Sequence, residues 1–167
     1  MAETYFNLSQ DYFKTIFDYK DGNLYWKKRM ALCLKMGALA GTVKRHTPYK
    51  RVQVLRKNLL QHRVIFFMHY GYLPELIDHI DGNSLNNRIE NLREATYSQN
   101  SINKKLLSNN KSGFKNVCWD KGYKKWAVFL RLNRKNVNIG RFDDVELAGL
   151  VAEEARDKYH KDFARHK

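Results

Sequence analysis

Residues 76–103 constrain this chain more than any other stretch, because they place turn-forming residues between short apolar runs in a fixed order. The first apolar run leads directly into Asp78 and His79. Segment 81–84 follows with the sequence DGNS, whose residues favour turns because they tolerate positive φ angles or bond their own backbone. We therefore expect a strand that ends at His79, a loop, a second strand and a short helix carrying Asn100. That arrangement would bring Asp78, His79 and Asn100 together.

These side chains suit the hydrolysis of a phosphodiester bond, in which a water molecule loses a proton and a leaving oxygen gains negative charge. His79 could accept that proton. A carboxylate from Asp78 and an amide oxygen from Asn100 could hold a hard divalent cation such as Mg²⁺, which prefers oxygen ligands and keeps several water molecules. Asn91 could brace the loop, since its amide can donate and accept hydrogen bonds at once. The competing interpretation is that His79 is an ordinary hydrogen-bonded surface histidine in an Asn-rich turn.

The whole motif resembles the ββα-metal core of phage HNH homing endonucleases. The resemblance rests on residues in the family's order, namely Asp78-His79, Asp81-Gly82-Asn83, Asn86-Asn87, Asn91-Leu92-Arg93 and Asn100. Asn91 follows His79 by twelve positions and Asn100 follows by nine more, which is the spacing of the family's His-Asn-Asn form. The resemblance implies His79 as general base, Asp78 and Asn100 as ligands of one Mg²⁺ or Mn²⁺ ion, and Asn91 as the loop brace.

The charge of the chain points to a polyanionic partner. Thirty-one Lys and Arg residues stand against 17 Asp and Glu residues, which gives a formal net charge of +14. Eleven basic and no acidic residues lie between Asp21 and Glu75, and residues 101–141 hold 11 basic residues with Asp120 as the sole acidic one. A merely solubilising charge would be spread more evenly, so the two basic blocks favour a nucleic acid as the partner, and the resemblance to homing endonucleases implies that it is double-stranded DNA.

The cysteines and the hydropathy of the chain indicate the cellular compartment in which the protein is expected to work. Cys33 and Cys118 are isolated in the sequence, so neither a disulfide framework nor a paired-cysteine zinc site is predicted. The longest apolar run, residues 64–68, is far shorter than the ~20 residues of a membrane helix, and no secretory signal pattern opens the chain. We therefore expect a cytoplasmic protein without membrane association, and favour a monomer over a dimer.

The N-terminal region predicts a helix followed by a small antiparallel sheet. Ser9 can cap a helix whose apolar residues recur at helical spacing, and the turn signal at residues 21–23 leads into the first strand. The expected strands cover residues 24–26, 38–43 and 49–55, with a break at Gly41. A buried helix should then begin at His62 and end at Gly71.

Basic residues decorate these expected strands, so the sheet could follow a phosphate backbone while their neighbours build the core. An antiparallel ribbon is also narrow enough to enter a major groove. The DNA-binding candidates in this region are Arg29, Lys44, Arg45, Lys50, Arg51, Arg56 and Arg63. The alternative interpretation is a solvated outer face of the sheet.

A polar linker at residues 107–113 is predicted to lead into a second unit. That unit should hold three short strands, at residues 114–119, 126–132 and 136–142. A helix capped by Asp143, with Glu146 three positions on, should follow. Its expected apolar stripe comprises Leu147, Ala148, Val151, Ala155 and Tyr159. Three strands and one helix make a minimal two-layer fold.

This second unit resembles an AP2 DNA-binding domain from Asn110 to about His166. The resemblance rests on Ser112-Gly113-Phe114-Lys115-Asn116-Val117, Lys125-Trp126, Ile139-Gly140-Arg141-Phe142 and the Ala-rich helix. It implies that the sheet lies in the major groove, with Trp126, Val128 and Leu130 facing the helix and the alternate side chains facing DNA. The DNA-binding candidates here are Lys115, Lys124, Lys125, Phe129, Arg131, Arg134, Lys135, Asn136 and Asn138, of which Arg131, Asn136 and Asn138 would read bases.

These patterns predict an α+β protein with two domains. An HNH nuclease domain would cover residues 1–106, with the ββα-metal motif at about 76–104, and an AP2-like domain would cover residues 114–167. The predicted function is site-directed, homing-type DNA cleavage by metal-assisted hydrolysis. The leading alternative is a non-catalytic DNA-binding regulator that keeps the nuclease core as a scaffold, and an RNA-directed protein is a weaker third. The recognition sequence and the choice between nicking and double-strand cutting are left open.

Overall fold

The computed structural model describes residues 8–29, 35–45, 47–132 and 135–166. The chain divides into two compact units between Thr96 and Tyr97. The segment 107–113 is therefore not the structural boundary, and it is tied into the second unit, where the Asn110 amide donates a hydrogen bond to the Phe114 carbonyl at 3.1 Å. The assignment of functional domains to particular ranges stays a prediction.

The described part of the first unit contains two α-helices and eight short strands, with a short 3-10 helix at Ile89–Asn91 before the last strand. They are α1 (Gln10–Ile16), β1 (Phe17–Lys20), β2 (Asn23–Trp26), β3 (Leu39–Ala40), β4 (Thr42–Val43), β5 (Lys50–Val54), β6 (Lys57–Leu60), α2 (Gln61–Tyr70), β7 (Leu76–His79) and β8 (Leu92–Ala95). The strands form small antiparallel sheets in the orders β1-β2-β3, β4-β5-β6 and β7-β8. The predicted α+β class with small antiparallel sheets is confirmed.

The start of the first unit follows its local sequence signals. Helix α1 begins at Ser9, whose hydroxyl accepts a hydrogen bond from the Tyr12 amide at 3.2 Å. The turn between β1 and β2 has positive φ angles at Asp21 (48°) and Gly22 (78°), as its turn signal predicts. Helix α2 ends at Gly71, which has a φ of 77° and stops the helix in the left-handed conformation.

The second sheet follows the prediction at Gly41 and has one strand more than expected. The predicted break at Gly41 divides residues 38–43 between two sheets. Gly41 has a φ of 92°, and a Cβ there would lie 2.8 Å from the Arg51 carbonyl oxygen, so only glycine fits this approach. Strand β6 was not predicted, because the turn before it is made by Leu55 and Arg56, with φ angles of 46° and 63°. The usual signal for such a two-residue hairpin turn is Asn or Gly, which this sequence lacks.

One hydrophobic core holds the first unit together and carries β7. It comprises Phe13, Ile16, Phe17, Leu24, Trp26, Ala40, Val52, Val54, Leu59, Val64, Ile65, Phe66, Met68, Ile77 and Leu92. Helices α1 and α2 pack against each other, with the Gln10 amide donating to the Met68 carbonyl at 2.9 Å. Because Ile77 and Leu92 belong to this core, the β7-β8 hairpin is anchored from one face and places Asp78 and His79 at its end.

The described part of the second unit is a three-stranded sheet with two helices. Its elements are α3 (Tyr97–Ile102), β9 (Val117–Asp120), β10 (Lys125–Leu132), β11 (Lys135–Phe142) and α4 (Val145–His160), and the antiparallel sheet has the order β11-β10-β9. The first strand is shorter than predicted, since Phe114 is not in it and packs against α4 instead. Added at Gly149 of α4, a Cβ would lie 2.5 Å from the Phe114 ring, so the glycine makes room for it.

Helix α4 corrects two details of the prediction. Its cap is Asp144 rather than Asp143, with the Asp144 carboxylate accepting from the backbone amides of Glu146 and Leu147 at 2.6 and 3.1 Å. The buried face comprises Ala148, Gly149, Ala152, Ala155 and Arg156, whereas Leu147 and Tyr159 are exposed. The buried face is thus centred on the small residues Ala148, Ala152 and Ala155, and it lies about one residue, or roughly 100° around the helix, away from the centre of the expected stripe.

The central strand β10 only partly follows simple alternation. Trp126, Val128 and Leu130 contribute buried or half-buried apolar surface, but Ala127, expected on the opposite face, is also fully buried. A register shift between Val128 and Phe129 interrupts the pairing with β11, and such an irregularity changes which side chains share a face. None of the described helices has the length and hydropathy that a membrane span needs.

Candidate active site

The end of β7 places a buried carboxylate beside a buried imidazole. Asp78 is 4% exposed and His79 is 6% exposed, and both are therefore largely desolvated. Arg93 lies opposite Asp78 in the β7-β8 register, and its Nε and Nη2 atoms donate to Asp78 Oδ2 at 2.9 and 2.8 Å. Such an ion pair offsets the cost of burying the charge of Asp78 and fixes the orientation of its carboxylate.

The His79 ring is held by two buried amide side chains. His79 Nε2 lies 3.0 Å from Asn87 Oδ1, and the Asn87 amide nitrogen donates to Gln61 Oε1 at 3.1 Å. Gln61 in turn donates to the backbone carbonyl of Ala40 at 2.9 Å. Asn87 and Gln61 are 1% and 0% exposed. Sequence analysis assigned Asn87 no role beyond its place in the motif, and no local pattern singles out Gln61 at the start of α2.

Two further rings surround the imidazole of His79. The centroid of the His62 ring lies 5.1 Å from that of His79, and the Tyr49 ring is 5.3 Å from His62 and 6.2 Å from His79. Burial, with His79 and Arg63 acting in the same direction, lowers the pKa of His62 to about 3. His62 is therefore neutral near neutral pH and places no positive charge beside His79.

Asn91 joins both sides of the loop that follows β7. Its Oδ1 accepts from the Asp81 backbone amide at 3.0 Å, and its amide nitrogen donates to Asp81 Oδ1 at 2.9 Å and to the Asn86 carbonyl at 2.7 Å. The Asp81 carboxylate also accepts from the Asn83 backbone amide and the Asn86 side chain, each at 2.7 Å. Although burial opposes it, these hydrogen bonds from Asn86, Asn83 and Asn91 lower the pKa of Asp81. The loop is closed by polar contacts on its own residues.

The remaining predicted metal ligand, Asn100, lies on α3 in the second compact unit, so its pairing with Asp78 stays a prediction. The donor set itself suits a hard divalent cation, because a carboxylate and an amide both offer oxygen ligands. Across the described ranges, no group of three or more His, Cys, Asp or Glu side chains lies together as a metal cluster. The predicted site is not of that type, since one of its two protein ligands is an amide.

The basic residues predicted to bind DNA in the first unit fall into two groups. Four of them, Arg29, Lys44, Arg45 and Arg56, are exposed, and Lys50, Arg51 and Arg63 are half-buried. Lys50 donates to Asn23 Oδ1 at 2.7 Å. Arg63 donates to the backbone carbonyls of Pro74 and Glu75 at 3.2 and 3.3 Å, and so braces the segment before β7. Their role in DNA binding stays a prediction.

In the second unit, the structure brings four of the predicted DNA contacts together on adjacent strands. Arg131 lies opposite Asn136 and Phe129 lies opposite Asn138 in the β10-β11 register, so these side chains share one face. Arg131, Asn136 and Asn138 are exposed and Phe129 is half-buried. This shared face is the sheet patch, defined by Phe129, Arg131, Asn136 and Asn138.

The other basic candidates of the second unit differ in their surroundings. The Lys115 ammonium donates to the carbonyls of Ile102 and Lys104 at 3.2 and 2.7 Å, and Lys125 pairs with Asp143 at 3.0 Å. Lys124 and Lys135 are exposed. Arg134 lies outside the described residues, as does Cys33, while Cys118 is exposed with a free thiol.

Comparison with known proteins places these residues in a family. The model of the family described as HNH endonuclease matches residues 60–102, which span α2, β7, the loop, β8 and α3. Protein 3.8 of Escherichia phage T7 is 36% identical over 97 residues, covering 57% of this chain and 79% of that protein. An uncharacterized HNH endonuclease of Acanthamoeba polyphaga mimivirus is 37% identical over 97 residues, covering 56% of this chain and 51% of that protein.

No solved structure matches the chain. The family match covers the residues that place Asp78, His79, Asn91 and Arg93 around one loop, which is the predicted nuclease core. HNH nucleases typically use a divalent metal ion and act on DNA. The chain therefore belongs to the HNH endonuclease family and is a DNA-cleaving hydrolase.

Proposed function

We propose that this HNH endonuclease is a site-directed enzyme of homing type that cleaves double-stranded DNA, with one divalent metal ion and His79 as general base. The observation that carries the proposal is the placement of His79 at the buried end of β7, directly after an aspartate whose charge is compensated by Arg93. A solvated surface histidine in a turn would have neither this burial nor the paired amides. A histidine held in a fixed position is suited to general-base catalysis.

In the proposed reaction, His79 accepts a proton from a water molecule as the water oxygen bonds to phosphorus. The bond from phosphorus to the 3′ oxygen breaks, and that oxygen takes a proton from solvent, which leaves 5′-phosphate and 3′-hydroxyl ends. Asp78 and Asn100 would hold the metal ion, Mg²⁺ or Mn²⁺, which would stabilise negative charge on the phosphate and the leaving oxygen. Arg93 keeps the Asp78 carboxylate in place through Oδ2, and Asn91 keeps the loop closed.

We further propose that the second unit is an AP2-like reader whose sheet patch contacts bases in the major groove. A strand pair that exposes Arg131, Asn136 and Asn138 on one face supports this, because Arg suits guanine and Asn suits adenine. The exposed Lys135 at the start of β11 would contact phosphate, which carries no sequence information by itself. The reader would give the nuclease its site preference.

The decisive test is plasmid cleavage by the full chain and by His79→Ala. The variant should cleave ~10²- to 10⁴-fold more slowly while binding DNA with nearly unchanged affinity, because general-base help is lost and phosphate contacts remain. His69→Ala is the matched control, since His69 is an exposed histidine of the same unit and packs against Tyr19. EDTA should stop cleavage by the wild type, and Mg²⁺ or Mn²⁺ should restore it. Equal rates for wild type and His79→Ala would contradict the assignment of His79.

A further inference from the structure

A directional chain of hydrogen bonds ends at the His79 ring. It starts at the Ala40 backbone carbonyl and runs through the side chains of Gln61 and Asn87, with donor–acceptor distances of 2.9, 3.1 and 3.0 Å. Gln61, Asn87 and His79 are each at least nine-tenths buried. Burial matters here, because a polar atom left without a partner away from water is costly, so the arrangement that satisfies every group is favoured.

The direction of the chain follows from its starting point. A backbone carbonyl can only accept, so Gln61 must turn its amide nitrogen toward Ala40 and its Oε1 toward Asn87. Asn87 must then donate to that oxygen through its own amide nitrogen, which leaves Asn87 Oδ1 facing His79. An oxygen that can only accept requires a donor, and so Nε2 of His79 must carry a proton.

Glycines lie beside the segments that carry the two buried amides. A Cβ on Gly41, the residue after Ala40, would lie 3.4 Å from the Gln61 amide nitrogen and 2.8 Å from the Arg51 carbonyl oxygen. A Cβ on Gly22 would lie 2.9 Å from the Asn87 carbonyl carbon, so the β1-β2 turn rests against the backbone that carries Asn87. The two glycines therefore let the chain approach closely beside Gln61 and beside the backbone that carries Asn87.

We infer that Gln61 and Asn87 are positioning residues that hold the neutral His79 ring in the tautomer protonated at Nε2 and so place its lone pair on Nδ1. This inference rests on the proposed function, in which that lone pair accepts the proton of the attacking water. The tautomer of a histidine is set by the hydrogen bond that its other nitrogen makes. Gln61 and Asn87 touch neither water nor phosphate in this role and act through His79.

The tautomer can be measured directly on the full chain labelled with ¹⁵N, without added metal. Long-range ¹H–¹⁵N spectra distinguish the two ring nitrogens, and the His79 signals are assigned by their loss in His79→Gln. The spectra are recorded at increasing pH until they no longer change, so that the neutral ring is observed. We expect Nε2–H as the sole tautomer. A ring protonated at Nδ1 in the wild type would overturn the inference without any variant of the chain.

Two variants separate orientation from simple packing. Gln61→Met keeps the size of the side chain but removes the fixed acceptor for Asn87, so the Asn87 amide can turn over and the His79 tautomers should mix. Asn87→Asp keeps an acceptor facing Nε2 whichever way it turns, so Nε2–H should persist. Gln53→Met, at an exposed glutamine in β5, is the matched control for the first change. Melting temperatures show whether each variant is folded.

Cleavage kinetics then distinguish this inference from the proposed function. In Gln61→Met, kcat should fall by the same factor as the fraction of Nε2–H, with KM unchanged. If Gln61→Met shifted the tautomer without changing kcat, Gln61 and Asn87 would still be shown to set the tautomer, but His79 would not be the general base. An unshifted tautomer in a folded Gln61→Met would overturn the chain, whatever the enzyme's rate.

Discussion

Asp81 is an exposed carboxylate whose hydrogen bonds order the loop after β7. Its two oxygens accept from Asn83, Asn86 and Asn91 at 2.7 to 2.9 Å, and these donors favour the charged form of the carboxyl. Protonation would remove acceptors that three separate parts of the loop share. The order of the loop therefore depends on one ionised side chain.

The first prediction concerns stability in acid. Burial acts to raise the pKa of Asp81, but the hydrogen bonds lower it overall, so the folded-state pKa lies below the unfolded value of about 3.9. Stabilisation by Asp81 should be present above the unfolded pKa and lost as the pH falls through the folded pKa. Asp81→Asn should remove this part of the acid dependence of the urea midpoint measured between neutral pH and about pH 3.

Glu90→Gln, which changes an exposed carboxylate of the same loop outside this hydrogen-bond set, is the control for Asp81→Asn. It should retain the full contribution of Asp81 to the pH dependence. If the two variants lost stability in acid to the same extent as the wild type, Asp81 would not be the group that titrates in the loop.

Lys115 illustrates a basic residue whose charge serves the fold. Burial, with Arg156 and Arg165 acting in the same direction, lowers the pKa of Lys115 to about 8, and its ammonium group donates to two backbone carbonyls. The sequence placed it among the phosphate contacts. In the structure its ammonium group contacts the end of α3 and the segment that follows it, and its role in DNA binding stays a prediction.

The second prediction follows from those contacts. Lys115→Ala should lower the melting temperature and leave the slope of log K for DNA against log salt unchanged. Lys135→Ala, at an exposed position on β11, should reduce that slope by about 0.9, since one phosphate contact is lost, while changing stability little. Anisotropy titrations at several salt concentrations measure both slopes. If both substitutions reduced the salt slope equally, Lys115 would be a phosphate contact like Lys135.

At the scale of single elements, the β1-β2 hairpin supports the active-site loop. A Cβ on Gly22 would lie 2.7 Å from the Arg88 amide nitrogen, and the Ile89 amide donates to the Tyr19 hydroxyl at 2.9 Å. The hairpin is remote in sequence from His79 but contacts the backbone on either side of Arg88. Its turn therefore determines where the chain segment carrying Asn87 runs.

The third prediction tests that support. Gly22→Ala should destabilise the protein by about 1–3 kcal/mol, from backbone strain at a positive φ and from overlap with Asn87 and Arg88, and should slow cleavage. Gly37→Ala is the control, because Gly37 has a φ of 77° but no atom within 4 Å of the added Cβ. The Gly37→Ala variant should show only the backbone strain, without steric overlap, and should retain the wild-type cleavage rate per folded molecule. Equal losses of cleavage in both variants would mean that the hairpin does not position the loop.

At the scale of the whole molecule, Asp78 and His79 lie in the first compact unit, and the sheet patch lies in the second together with the predicted ligand Asn100. Sequence choice and chemistry should therefore respond to different substitutions. Phosphate contacts strengthen binding to every sequence, whereas base contacts discriminate among sequences. The sheet patch contains the side chains that can discriminate among bases, whereas the exposed lysines can contribute only their charge to phosphate binding.

The fourth prediction is a comparison of Arg131→Ala with Lys135→Ala on a library of DNA substrates. Arg131→Ala should broaden the set of cleaved sequences, because a lost bidentate contact to a base is worth roughly 1–3 kcal/mol of discrimination. Lys135→Ala should lower cleavage of all sequences evenly. If both variants gave the same uniform loss, the sheet patch would not be the reader, and the exposed basic residues of the first unit would be tested next.

Local sequence signals were sufficient for most of the secondary structure. A capping serine, a turn at Asp21-Gly22 and a terminating glycine act within a few residues, so α1, the turn before β2 and α2 follow from the chain itself, whereas β1 was not predicted. The His-Asn-Asn spacing likewise identified the nuclease core, because one short motif carries the loop, its brace and the residues at the end of β7.

Contacts between distant parts of the chain decided the rest. Gln61 reaches Asn87 across 26 positions and Ala40 across 21, and Arg156 donates to the Lys115 carbonyl across 41. No window of neighbouring residues contains such pairs, so neither the hydrogen-bond chain to His79 nor the internal role of Lys115 has a local signature. The boundary between residues 96 and 97 also depends on tertiary contacts. The polar composition of residues 107–113 is typical of a linker, but in the structure Asn110 hydrogen-bonds to Phe114 within the second unit.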